Sequence, residues 1–175
     1  MSALPEVLPI ADARARDAQF AALLDAYGPR IARVASAYTR SVAERDDLSQ
    51  EIAVALWQAF PRFRGECSEK TFVYRIAHNR GLTYASRRRT HAPEVDAVDA
   101  APDPEARLGA EQRHAALLDA IRRLPVAQRQ VVTLALEELS HDEIAEVLGT
   151  TANNVGVRLS RARDALRAQM IGGSR

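Results

Sequence analysis

One cysteine, Cys67, in 175 residues excludes an internal disulfide and a cysteine-rich zinc site, and points to a reducing compartment. No stretch approaches the run of about 18 apolar residues that a spanning helix needs. The start of the chain carries Pro5, Glu6 and Asp12 in place of a basic and then apolar leader, so a cytoplasmic location is expected. Neither sign of charge prevails: 24 basic residues stand against 23 acidic ones, a formal net charge of +1. Any nucleic-acid role must therefore rest on local segregation of charge. Lysine is nearly absent. Lys70 is the single one and every other cation is arginine, which forks onto phosphates and base edges but equally reflects genomic base composition. No alternating strand pattern of useful length occurs.

Catalytic signatures are missing as well. His78, His91, His114 and His141 are far apart and form no HExxH-type ligand pair. There is no phosphate-cradling glycine loop and no GxSxG turn, and Cys67 and His78 lack an orienting third partner at a recognisable spacing. No catalytic residue, metal or cofactor is expected, and the chain reads as a non-enzyme. Cys67 is a bystander thiol or a redox sensor in a polar loop.

What is present is ordinary soluble composition, 47% hydrophobic and 27% charged, with room for one medium domain or two small ones. Charge divides the chain into zones. From Phe60 to Arg89, eight basic residues face Glu66 and Glu69. From Thr90 to Gln112, six acidic residues face Arg107 among Pro93, Pro102 and Pro104. From Val155 to Arg175, five arginines face Asp164. The middle zone cannot bury enough apolar surface to order itself and reads as a flexible acidic linker, 90–112, between two helical units.

The first unit, 14–89, follows an N-terminal tail, 1–13. Phe20, Leu23, Leu24 and Tyr27 mark a helix that Gly28 and Pro29 are expected to end, and Ile31, Val34, Ala35 and Tyr38 mark a second. Ser41 and Glu44 form a capping box for a third, with Leu48, Ile52, Leu56 and Phe60 in step as far as Pro61. After a polar loop from Arg62 to Lys70, a fourth carries Phe72, Val73, Ile76, Ala77 and Tyr84. The second unit, 113–171, precedes a short tail, 172–175. It holds helices over His114–Leu124 and Val126–Glu137, a capping box at Ser140 and Glu143, a short helix closing at Gly149, and a last helix from about Ala152 to Met170.

Three constellations point to partners. Ala145, Gly149 and Val155 have the spacing of a helix-turn-helix, with Asn153, Asn154, Arg158 and Arg161 on the helix that would enter a major groove. A helical hairpin without a nucleic-acid role is the bland alternative. Phe63, Phe72, Tyr74 and Tyr84 among the cations of 60–89 suit single-stranded nucleic acid, which is held by stacking and by charge; for Phe72 and Tyr84 a core role is the competing reading. Asp46, Asp47, Gln50 and Glu51, with Trp57 two turns on, form either a solvated face or a protein docking surface.

These runs together closely resemble the bacterial RNA polymerase sigma factors of the sigma-70 family, extracytoplasmic-function (ECF) group. Asp46-Asp47-Leu48-Ser49-Gln50-Glu51 with Leu56-Trp57 is similar to region 2.2. Phe63-Arg64-Gly65-Glu66 through Thr71-Phe72-Val73-Tyr74-Arg75-Ile76-Ala77-His78-Asn79-Arg80 is similar to regions 2.3 and 2.4, and Leu124-Pro125 to Arg163 to region 4. The resemblance implies an all-α protein with a four-helix region 2 domain and a helix-turn-helix region 4 domain. It assigns Asp46, Asp47, Gln50, Glu51 and Trp57 to the β′ clamp helices of core polymerase. Phe63, Arg64, Lys70, Tyr74, Arg75, Ile76, Asn79 and Arg80 fall to the minus-ten element and its extruded non-template base. Asn153, Asn154, Val157, Arg158 and Arg161 fall to the minus-thirty-five duplex. Region 4 would also pack on the β flap, an anti-sigma factor would hold the protein inactive, and no membrane insertion is implied. The run Asn153-Asn154-Val155-Gly156-Val157-Arg158 departs from the Gly-Thr-Val-Lys-Ser-Arg type common in the family, so the promoter sequence does not carry over. A helix-turn-helix regulator of duplex DNA, or a pure protein-interaction module, are the rival readings.

Overall fold

The computed structural model describes residues 10–91 and 108–172, and in them seven α-helices and one short 3-10 turn. The first unit consists of α1 (Ile10–Ser36), α2 (Val42–Ala59) and α3 (Glu69–His91), with the 3-10 turn Phe60–Arg62 after α2. The second consists of α4 (Leu108–Arg123), α5 (Val126–Leu136), α6 (His141–Leu148) and α7 (Ala152–Gly172). Among the described residues there is no strand.

The break expected at Gly28 and Pro29 is absent: α1 runs through both. Proline deletes one backbone hydrogen bond, but the apolar stripe keeps its phase across it. Tyr27 and Ile31 lie four apart, so Phe20, Leu23, Ile31 and Val34 fall on one buried face. That face packs against α2 and α3, and burying it outweighs the lost bond. The first unit therefore has three long helices where four were expected. Helix α4 begins at Leu108, inside the segment read as linker, and α3 extends to His91; the linker residues 92–107 lie outside the described residues.

Both expected capping boxes form. The Glu44 N–H donates to Ser41 Oγ at 3.2 Å while Glu44 Oε2 accepts from the Ser41 N–H. Ser140 and Glu143 repeat the arrangement at the start of α6. Gly149, at φ 63°, ends α6 in the left-handed region, and the Thr150 N–H returns to the Ala145 carbonyl at 2.9 Å. This turn aims α7 across α6, and the fully buried Val155 anchors it.

Leu48, Ile52 and Leu56 of α2 meet Val73, Tyr74 and Ala77 of α3 beneath α1, and Ile121, Val131, Leu134, Ile144 and Leu159 fill the second unit. The buried apolar side chains of both units make one contiguous cluster. Gly81, on α3, lies under the Tyr38 ring, where an added Cβ would come within 2.5 Å of a ring carbon. Alanine there gains about 1 kcal/mol of helix propensity, but forcing the ring aside costs about 1 to 3 kcal/mol. Gly81→Ala should accordingly lower the melting temperature by several degrees; a variant as stable as the parent would show that Tyr38 has room to move.

Candidate polymerase and nucleic-acid interfaces

The capping box at Ser41 fixes the rotation of α2, so that Leu48, Ile52 and Leu56 turn inward and Asp46, Asp47, Gln50 and Glu51 are exposed. Asp47, Gln50 and Glu51 border a groove between α2 and α3, with the exposed Val54 among them and Arg80 and Arg87 on its far wall. Arg87 Nη1 lies 3.8 Å from Glu51 and Arg45 holds Asp46 at 2.8 Å. Trp57 sits on a neighbouring stripe and leans on α1. Its ring meets Phe20 edge-on at 5.0 Å, with the Arg16 guanidinium 5.0 Å from its centroid and roughly a third of the residue open to solvent. The acidic face thus combines charge, an exposed valine and a partly exposed indole, the mixture expected of a surface that docks protein.

The loop from Phe63 to Ser68 projects between α2 and α3, and Gly65 at φ 74° permits its bend. Phe63 and Phe72 stack at its base, centroids 4.5 Å apart, and both are half-buried. A cleft beside Phe63 is bordered by Arg16 and Gln19 of α1 together with Phe60, Pro61 and Glu69. Arg16 and Gln19 carry no sequence signal of this role, because nothing local relates the start of α1 to a loop more than 40 residues later. Arg64, Arg75 and Asn79 are exposed, and Ile76 is partly so. Tyr74 is fully buried, and its hydroxyl donates to Glu137 Oε2 at 3.1 Å. Burial, with Glu137 alongside, pushes its phenol well above the ordinary tyrosine range. Arg80 belongs to the groove that holds Asp47 and Gln50 and not to the loop.

On α7, Thr151 Oγ1 accepts the Asn154 N–H at 3.3 Å, and the Asn154 amide donates to Thr150 Oγ1 at 2.9 Å. Asn153, Val157 and Arg161 are exposed and Arg158 partly so. Leu159 and Ala162, with Val155, take the buried side. Gly156 faces His141 at the start of α6 at ordinary contact distance, so it is not compelled by crowding. The helix therefore presents amides and arginines from one side, as a major-groove reader does.

The two units touch, through residues whose pairing no local sequence pattern signals. Arg33 grips Glu137 through two bonds of 2.6 and 2.7 Å, and this grip raises its guanidinium pKa further. Lys70 meets Glu143 at 3.0 Å, Arg122 donates to the Ser36 carbonyl at 3.1 Å, and Arg129 lies over the Tyr38 ring. Among the described residues no group of three or more metal-ligating side chains assembles, and no helix is long and apolar enough to cross a membrane.

Residues 23–91 match the family model for sigma-70 region 2, and residues 114–166 that for sigma-70 region 4. The ECF RNA polymerase sigma-E factor of Escherichia coli (strain K12) is 32% identical over 150 residues, 77% of this chain and 78% of that protein. The RNA polymerase sigma factor NccH of Alcaligenes xylosoxydans xylosoxydans is 26% identical over 158 residues, 85% of each. Among solved structures, CnrH in complex with the cytosolic domain of CnrY superposes with a TM-score of 0.67 at 25% identity, over 89% of both chains. The sigma factor RpoE of Bartonella quintana, solved with the anti-sigma factor NepR, shares the fold with a TM-score of 0.68 at 19% identity, over 87% of this chain and 96% of that one. With region 2 and region 4 in order on one chain, and with this identity spanning both, the protein belongs to the ECF group of the sigma-70 family.

Proposed function

We propose that the chain binds core RNA polymerase, directs it to a promoter class and helps open the duplex there, without catalysing a reaction itself. The observation that carries this reading is the union, in one chain, of an exposed acidic face on α2 with a helix-turn-helix whose α7 presents Asn153, Arg158 and Arg161 outward. Asp46, Asp47, Gln50, Glu51 and Trp57 dock on the clamp helices of β′. Phe63, Arg64, Lys70, Arg75, Ile76 and Asn79 receive the minus-ten strand, with Tyr74 and Arg80 shaping its support from behind. A few kcal/mol of unstacking is offset by stacking and charge contacts to the extruded base. Asn153, Asn154, Val157, Arg158 and Arg161 read the minus-thirty-five duplex, and the second unit also rests on the β flap. The functional domains are 14–89 and 113–171, with α3 and α4 running into the 90–112 linker from either side, and the protein works in the cytoplasm. CnrH was solved with the cytosolic domain of CnrY, and RpoE of Bartonella quintana with the anti-sigma factor NepR; an anti-sigma partner is part of the proposal for this chain.

The deciding experiment is run-off transcription with core polymerase on fragments of the source genome. Transcripts from defined start sites are expected only when this protein is added, and their absence from every fragment would overturn the reading. Arg158→Ala should weaken duplex binding about tenfold if the guanidinium makes one bidentate base contact, with the loss concentrated on the cognate sequence. An equal loss on all sequences would move Arg158 to the phosphate backbone.

A further inference from the structure

His141 opens α6 and is exposed. Its ring lies against α7 at Gly156: a Cβ built on that glycine would stand 3.7 Å from the imidazole Cε1 and 3.8 Å from Nδ1. A methyl group has room there at ordinary contact distance, whereas a longer side chain would reach into the space that the ring fills. Helical phase fixes where this lies. Asn153, Val157 and Arg161 form the outward stripe of α7; Gly156 borders that stripe on the α6 side, and Arg158 borders it on the other.

A recognition helix in a major groove has a phosphate backbone along each flank, and the first helix of the motif crosses one of them. On the Arg158 flank a cation meets the strand. The α6 flank is acidic: the helix reads His-Asp-Glu-Ile-Ala-Glu-Val-Leu, with no lysine or arginine, so Asp142, Glu143 and Glu146 would repel the strand that passes it. His141 is the one residue of α6 able to carry positive charge, and it stands at the edge of the reading stripe.

We infer that charged His141 is a phosphate contact on the minus-thirty-five duplex, so that the second unit takes up a proton when it binds. The inference rests on the reading of α7 as the groove-entering helix. Histidine is the side chain whose charge ordinarily changes between pH 5 and 8, and a phosphate beside it favours the charged form, in which both ring nitrogens donate. The groups around the ring leave that choice to the DNA. On α6, the positive end of the helix dipole opposes the charge and the neighbouring Asp142 favours it. Glu143 is already paired with Lys70 of α3 at 3.0 Å. In the turn from α5, Glu137 is held by Arg33, and Glu138 is exposed. From α7, Gly156 faces the ring without charge, and Arg158 lies across the stripe. The sign follows: proton uptake tightens binding as the pH falls towards 6 and weakens it as the pH rises towards 8.

The test uses the full chain assembled with core polymerase. Its probe is a duplex of about 30 base pairs that the assembly, and not core polymerase alone, enriches from a random pool. At pH 6, His141→Gln should bind this duplex about fivefold more weakly than the parent, with the slope of log affinity against log salt shallower by about 0.9. At pH 8 the two should coincide. His141→Arg makes the charge permanent and should bind about fivefold more tightly than the parent at pH 8. Circular dichroism at both pH values checks that all three chains are folded. An equal loss at pH 6 and pH 8 in His141→Gln, or no loss at either, would overturn the phosphate contact and leave the initiation reading standing. A pool from which the assembly enriches nothing would strike the groove-entering role of α7 and, with it, both readings.

Discussion

Lowering the pH from 7 to 5 is expected to remove about 2 kcal/mol of stability, and His78 is the cause. Its ring is completely buried; Nδ1 is joined to the Tyr38 hydroxyl at 2.7 Å, and Nε2 has no partner. Burial pushes its pKa from 6.5 down to about 3. The folded protein keeps this imidazole neutral throughout that interval, whereas the unfolded chain takes up a proton below about 6.5, so the unfolded state binds more protons and gains as the pH falls. Stability is complete above pH 6.5 and declines by about 1.4 kcal/mol per unit beneath it. Protonating the folded ring instead would place a charged donor at Nε2 with no acceptor. Urea unfolding followed through Trp57 fluorescence should show the midpoint dropping by about 1 M between pH 7 and pH 5. His78→Gln should abolish most of that dependence while lowering stability at pH 7. A parent midpoint that is flat over the range would mean that the imidazole reaches water. Glu44, held below the usual carboxylate range despite its partial burial by the Arg40 N–H and the Arg88 guanidinium, adds a loss in the same direction only at more acid pH.

The second large effect is on polymerase affinity. Asp47 and Gln50 are exposed on α2 and support no core contact, so replacing both by alanine should leave the melting temperature within about a degree of the parent. At a protein interface, however, a charged and an amide side chain at the centre of the buried patch can together account for about 2 kcal/mol or more, a loss of about 30-fold in affinity. Titration of labelled core polymerase with the Asp47→Ala, Gln50→Ala variant measures this. Unchanged affinity would remove the groove between α2 and α3 from the docking surface and leave Trp57, on the adjacent stripe, as the stronger candidate.

The part of the molecule legible in the sequence was the part governed by neighbours within one helical turn. The capping boxes at Ser41 and Ser140, the glycine turn at Gly149 and the stripe Leu48, Ile52, Leu56 each involve residues three or four apart, and they form as expected. The break expected at Gly28 and Pro29 fails for the same reason, since the local breaker is outweighed by a burial that only α2 and α3 supply. The acidic stripe of α2 and the outward arginines of α7 were visible for the same reason, because helical periodicity alone assigns them a side.

Contacts between distant segments were decided by the tertiary structure. Tyr74 read as a ring for stacking, yet it is core because Val73, Tyr74 and Ala77 close against α1 and α2, and its hydroxyl finds Glu137 more than 60 residues later. Arg80 joined the groove between α2 and α3, and Arg16 the cleft beside Phe63, through the packing of α1, α2 and α3. Composition, charge zoning and helix phase were therefore determined by the chain as written. Which cations remain open to a partner, and which already hold a carboxylate of the other unit, depended on how the two helical units meet, since an ion pair between residues 33 and 137 or 70 and 143 leaves no periodic trace in a linear sequence.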